Sequence, residues 1–307
     1  MPRTHRASAR CALFGAMLTG AAALPAQPGV PRTSPPAPSS EVFLVPLTGQ
    51  GTTLAAGAPR NVTNRPGYDN QPAFSRDGRS LFYTSTREDA QADIYRVDIT
   101  AGTTTRVTRT APESEYSAFP TRDDRAITVI RVERDSTQRL WHVPLDGSPE
   151  RVLFPDTKPV GYFAQPDDST WVLFVLGTPV TLQVGHHGTG RTEIVGRDVG
   201  RSLHRIPGTT RASIVQKGSA SWQVMEFDPV TRRFSALVAL PPGAEDVAWS
   251  DGHTLLVGSG STLWRWTRGS TGWTQIADYA GAGLRNITRL AVSPDATLLA
   301  LVADPAP

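Results

Sequence analysis

At 307 residues, 39% hydrophobic and 19% charged, the chain can bury a substantial core, as one all-β domain or as two smaller ones. Its single cysteine, Cys11, excludes a disulfide-stapled scaffold. The formal net charge of +3 falls to zero without residues 1–26, which carry three arginines and no acids and leave 28 Lys and Arg facing 28 Asp and Glu; with no dense basic run remaining, nucleic acid is excluded as a partner.

Residues 1–26 read as a cleaved secretory signal peptide. Arg3, His5, Arg6 and Arg10 form a basic lead, "CALFGAMLTGAAAL" is an apolar segment of secretory length, and "PAQP" places a small residue before a polar break, with cleavage near Ala26 or Ala23. The apolar run is interrupted by Gly and Thr and is shorter than the ~20 residues of a spanning helix, so no transmembrane segment is expected after cleavage. The mature protein is expected to be periplasmic or secreted, and monomeric. Residues 27–40, "QPGVPRTSPPAPSS", read as a Pro-rich linker, and the folded part is expected to span 41–307.

From Glu41 onward the chain repeats itself. A turn anchor, Asp77-Gly78 in "AFSRDGRSLFYTS", recurs in degraded form at Asp123-Asp124, Asp167-Asp168, Pro207-Gly208, Asp251-Gly252 and Asp295-Ala296, at spacings of 46, 44, 40, 44 and 44 residues. That period is the length of a four-stranded propeller blade. Asp bonds to backbone groups ahead of it and Gly accepts the positive φ of a tight turn; where Asp124 or Ala296 replaces Gly, the turn type must differ or accept strain.

About twenty residues after the anchors come "DIYRVDI" at 93–99, "RLWHVPL" at 139–145, "TLQVGHH" at 181–187, "QVMEFDP" at 223–229 and "TLWRWTR" at 262–268. Their alternating aromatic and β-branched residues suit strands with one buried face. The last anchor is followed only by "TLLALVADPAP", whereas "EVFLVPL" at 41–47 and "RNVT" at 60–63 resemble later strands of other units. The expected fold is therefore all-β, a six-bladed β-propeller of four-stranded antiparallel blades, its ring closed by N-terminal strands pairing with the C-terminal blade.

"AFSRDGRSLFYTS" followed by "DIYRVDI", and "AVSPDATLLALVA" near the end, resemble the WD-repeat-like units of TolB-type β-propellers. The resemblance covers residues 41–307, the propeller part only. It implies a six-bladed propeller of a bacterial envelope compartment that acts by binding, as TolB engages a peptidoglycan-associated lipoprotein through one end of its funnel.

No Gly-x-Ser-x-Gly, His-Glu-x-x-His or Gly-x-x-x-x-Gly-Lys-Ser/Thr motif occurs in the chain. His186-His187 falls at an outer turn, where a solvated pair is the expected state. His204 falls near an innermost strand, lining the funnel or, the favoured assignment, sitting in the core. The seven tryptophans are expected to fill the wedges between blades.

Counting back from the anchors brings Gln71, Ser117, Gly161, Arg201, Asp246 and Arg289 to one channel mouth, with Asn70, Tyr116, Val160, Gly200, Glu245 and Thr288 one position earlier and Asp69, Glu115, Lys158, Asp198 and Arg285 nearby. From these, Asp69, Asn70, Gln71, Glu115, Tyr116, Lys158, Arg201, Glu245, Asp246, Arg285 and Arg289 are the candidate partner-binding residues. A rim of mixed charge suits a peptide segment better than a polyanion.

The expected function is thus non-catalytic binding of an envelope protein or peptide at the funnel, without a cofactor. The alternatives are a lactonase- or esterase-type propeller enzyme, with calcium held by Asp69, Asn70, Glu245, Asp246 and Asn286, and a small-molecule or glycan binder.

Overall fold

The computed structural model describes residues 39–218 and 221–304, all within one compact unit, Ala37–Pro307. The expected signal peptide and residues 27–38 of the expected linker lie outside the described residues. Ser40 already takes part in the fold, bridging to Tyr68.

Five blades are consecutive in sequence, at 69–106, 114–152, 160–197, 199–239 and 247–278, each a four-stranded antiparallel meander. The sixth combines the two ends of the folded unit. Glu41–Thr48 pairs antiparallel with Leu298–Ala303, bringing Phe43 opposite Leu301 and Val45 opposite Leu299. Its outermost strand comes in two pieces, Ala55–Ala56 and Arg60–Asn61, which pair with opposite ends of Glu41–Thr48. The ring is closed as the split terminal repeat requires, and the edge of Leu298–Ala303 is covered.

The alternation of each strand produces six apolar clusters, one per interface between neighbouring blades. Val42, Leu44, Ala300 and Val302 meet Leu81, Tyr83 and Tyr95 between the sixth blade and the first, and Val215 and Val224 meet Trp249, Val257 and Trp266 between the fourth and fifth. A fully buried Val, Leu or Ile contributes ~1.5–3 kcal/mol, so these wedges hold the ring together. All seven tryptophans belong to the clusters or pack against them, five of them between the fourth and fifth blades.

Four of the six turn anchors keep one geometry despite their degraded sequence. Gly78 and Gly208 have φ of +71° and +76°, and Asp124 and Ala296 follow with +53° and +58°. In these the turn type is retained and the strain accepted; at three of them Ser75, Thr121 and Ser293 each donate a backbone N–H to the first residue of the strand beyond the turn and accept that residue's N–H on the hydroxyl, fixing the turn's ends. His186 and His187 are exposed at an outer turn, as expected.

Candidate binding channel

The six innermost strands, Asp69–Phe74, Ser114–Pro120, Val160–Ala164, Val199–Arg205, Val247–Trp249 and Leu290–Val292, surround a central cavity of about 460 Å³. Small or aliphatic residues of every blade, Ala73, Ala118, Ala164, Leu203, Ala248 and Ala291, form part of its lining. Polar groups collect at the two ends.

The mouth owes its shape to breaks in strand pairing. Register shifts fall between Asn70 and Ala73, Tyr116 and Phe119, Val160 and Tyr162, and Val199 and Leu203, and such bulges re-aim side chains. Gln71 and Ser117 sit at φ of +56° and +55°, a conformation that costs a non-glycine residue on the order of 1 kcal/mol. Hydrogen bonds hold it in place. Asn70 Oδ1 accepts the Gln71 N–H at 2.8 Å, and Gln71 Oε1 accepts both the Thr84 hydroxyl and the Ser117 N–H at 3.0 Å, tying the first blade to the second.

Across the ring a carboxylate plays the same part. Glu245 Oε1 accepts the Arg201 N–H at 3.0 Å. Glycine at position 200 permits this approach, since a Cβ there would stand 3.0 Å from that oxygen and 3.1 Å from Val215.

The charged centre of the mouth is a chain of four side chains from four blades. Asp246, 6% exposed, accepts from Arg201 Nη2 at 3.0 Å and from Arg289 Nη1 at 2.6 Å. Arg289 Nη2 then donates to the Tyr162 hydroxyl at 2.7 Å, with the guanidinium carbon 4.7 Å from the Tyr162 ring centroid. The sixth and third blades are opposite one another, so this contact crosses the bore. Burial pulls Arg201 down, but Asp246 and then Glu245 hold its pKa above the ordinary value. Tyr68 stands close to the same arginines, and burial pushes its hydroxyl upward against the pull of Arg289, keeping it a neutral donor.

His204 lines the cavity, correcting its favoured assignment to the core. Its Nε2 lies 3.2 Å from Ser202 Oγ, which itself accepts the Val247 N–H at 3.1 Å. Burial pushes the imidazole down to about 4, outweighing the nearby Asp246, so His204 is neutral at pH 7.

Among the candidates, Gln71, Arg201, Asp246 and Arg289 reach the cavity lining together, as does Ser117. In place of Gly161 the bulge presents Tyr162. Asn70 and Glu245 support the rim from behind, through the bonds to the Gln71 and Arg201 backbones. Asp69 is fully buried in an ion pair with Arg65 at 3.1 Å. Glu115 is fully buried as well, bonded to Arg131 Nε at 2.8 Å and to the Thr110 hydroxyl; burial raises its pKa despite these partners. Tyr116 packs against the cluster of Ile130, Leu140 and Leu173. Lys158 and Arg285 are exposed and off the cavity lining, Arg285 exchanging backbone bonds with Asp304.

The oxygen donors named for calcium are engaged with other groups. Asp69 faces Arg65, both oxygens of Asp246 face arginines, and Asn286 donates to Asp304 at 2.6 Å. Among the described residues no three or more His, Cys, Asp or Glu side chains stand together so as to hold a metal, so this donor set does not fit a dication.

Comparison with solved structures recovers this architecture at low sequence identity. A putative TolB from Agrobacterium tumefaciens superposes with a TM-score of 0.68 at 12% identity, over 87% of this chain and 98% of that one. The fold is that of a TolB-like propeller. TolB from Acinetobacter baumannii gives 0.55 at 12% identity over 87% of this chain, and this chain spans 65% of its length. An oligogalacturonate lyase in complex with manganese gives 0.50 at 15% identity, over 86% of this chain and 97% of that one. The TolB-like fold is thus shared by neighbours with different names and chemistries, and function must come from the site. No protein-family model and no curated protein matches the chain by sequence. No helix among the described residues is long and apolar enough to cross a membrane.

Proposed function

We propose that this protein is a non-catalytic, monomeric propeller of the bacterial envelope, periplasmic or secreted, that binds a segment of a protein partner at the channel mouth. The observation that carries this reading is the convergence of Gln71, Ser117, Tyr162, Arg201, Asp246 and Arg289, one from each blade, around an open cavity. Amide, hydroxyl, guanidinium and carboxylate groups alternate there. A polypeptide segment presents both donors and acceptors, which a rim of one sign would match less well. Arg201 remains 36% exposed at its side chain although it bonds Asp246, so the rim keeps a guanidinium within reach of an incoming chain.

The test is capture from an envelope extract on the immobilised full chain, compared with Arg201→Ala and Asp246→Ala. A protein retained by the wild type and lost with both variants supports the reading. Retention by both variants, or capture of no protein, contradicts it.

A further inference from the structure

At the far end of the channel, beside the turn anchors, two arginines face the cavity with no hydrogen-bond or ion-pair partner for their guanidinium groups among the described residues. Arg76 follows the innermost strand of the first blade and Arg205 ends that of the fourth, on the opposite side of the ring; both line the cavity. The Nε of each is buried without a hydrogen-bond partner, and among the described residues neither guanidinium has a carboxylate within ion-pairing distance.

Nearby acids exist, but each is engaged. Asp124 accepts the Arg76 backbone N–H at 2.9 Å and that of Asp77 at 3.3 Å. Asp167 accepts the Ser169 and Thr170 N–H groups at 2.8 and 2.9 Å, and Asp168 pairs with Arg122 at 2.7 Å. Phe119 lies under the Arg76 guanidinium at 5.1 Å, which orients its plane but offers no acceptor. Burial and the neighbouring Arg205 hold Arg76 below its ordinary pKa, and burial with Arg122 does the same to Arg205.

Unused guanidinium N–H groups in a confined space are costly, and a planar acceptor with two or more oxygens satisfies their fork geometry. We propose that the turn end of the channel is an oxyanion-binding site, in which Arg76 and Arg205 together hold a carboxylate or phosphoryl group lodged in the cavity. The site is separate from the mouth and does not rest on the peptide reading.

Calorimetric titration of the full chain at low ionic strength tests it, with inorganic phosphate in one arm and succinate in the other. The wild type is expected to bind at least one saturably; tighter phosphate binding identifies a phosphoryl site and tighter succinate binding a carboxylate site. Arg76→Ala and Arg205→Ala should each weaken binding about tenfold or more, the loss of a charge-assisted pair of bonds, whereas Arg96→Ala, at an exposed position on the first blade, should not. Should the alanine variants fail to fold, Arg76→Lys and Arg205→Lys keep the charge and lose the fork, and are expected to bind more weakly with an unchanged circular dichroism spectrum. Absence of saturable binding to either anion, or binding undiminished in the arginine variants, would overturn the proposal.

Discussion

Arg289 and Tyr162, 127 residues apart in sequence, meet at 2.7 Å across the bore of the channel. Arg289 is held at its other side by Asp246, which also holds Arg201. The mouth is therefore braced by one buried carboxylate between two cations, with the Tyr162 hydroxyl at the end of the chain. These contacts rank the expected costs of mutation.

Tyr162→Phe removes one hydroxyl and keeps the ring under the guanidinium, so it should cost about 1 kcal/mol. Asp246→Ala takes the shared acceptor from Arg201 and Arg289, leaving Arg201 only its ion pair with Glu245 at 3.3 Å, and should cost about 2–3 kcal/mol, less than a fully buried pair because Arg201 is partly exposed. Urea unfolding of the two variants checks the order. A larger loss from Tyr162→Phe would mean that the cross-channel bond, rather than the carboxylate, holds the mouth.

The His204 imidazole supplies a pH dependence. Its pKa is about 4 in the folded chain against about 6.5 unfolded, so between these values the unfolded chain binds a proton that the folded chain refuses. The stabilising contribution is complete above pH 6.5 and is lost as the pH falls toward 4. Unfolding free energy should drop by roughly 2 kcal/mol from this residue between pH 7 and pH 5. His204→Gln should remove that slope; the same slope in the variant would assign it to other groups.

Two non-glycine residues occupy the strained place in the turn anchors, and they should answer differently to glycine. Ala296, at φ of +58°, makes no side-chain bond, so Ala296→Gly is expected to stabilise by about 0.5–1 kcal/mol. Asp124, at +53°, relieves the same strain on mutation but loses the carboxylate that accepts the Arg76 and Asp77 N–H groups. Asp124→Gly should therefore bring no gain. Thermal unfolding of the pair checks this contrast.

Much of the ring was legible because period and alternation are properties of the chain itself. The spacing of the anchors and the likeness of "EVFLVPL" to "RLWHVPL" suffice to place Glu41–Thr48 beside Leu298–Ala303. Counting back from the anchors also reaches the lining residues Gln71, Arg201, Asp246 and Arg289, although the innermost strand starts eight residues before the turn at Asp69 and only four before it at Val247.

What the count does not carry is side-chain direction at a bulge. Gly161 has the right number but no side chain, and the Val160/Tyr162 shift turns Tyr162 into the bore. Asp69 and Glu115 illustrate the converse. Their position near the mouth is right in sequence, yet Arg65, four residues before Asp69, and Arg131, opposite Glu115 on the neighbouring strand, draw them into ion pairs away from the lining.

The most direct measurement of the central claim is site-specific photo-crosslinking in envelope-containing cells, with a benzophenone amino acid at Ser117 on the mouth or at Ile194, exposed on an outermost strand. Binding at the mouth predicts a discrete crosslinked protein band from position 117 and none from 194. No band from 117, or the same band from both positions, would contradict it.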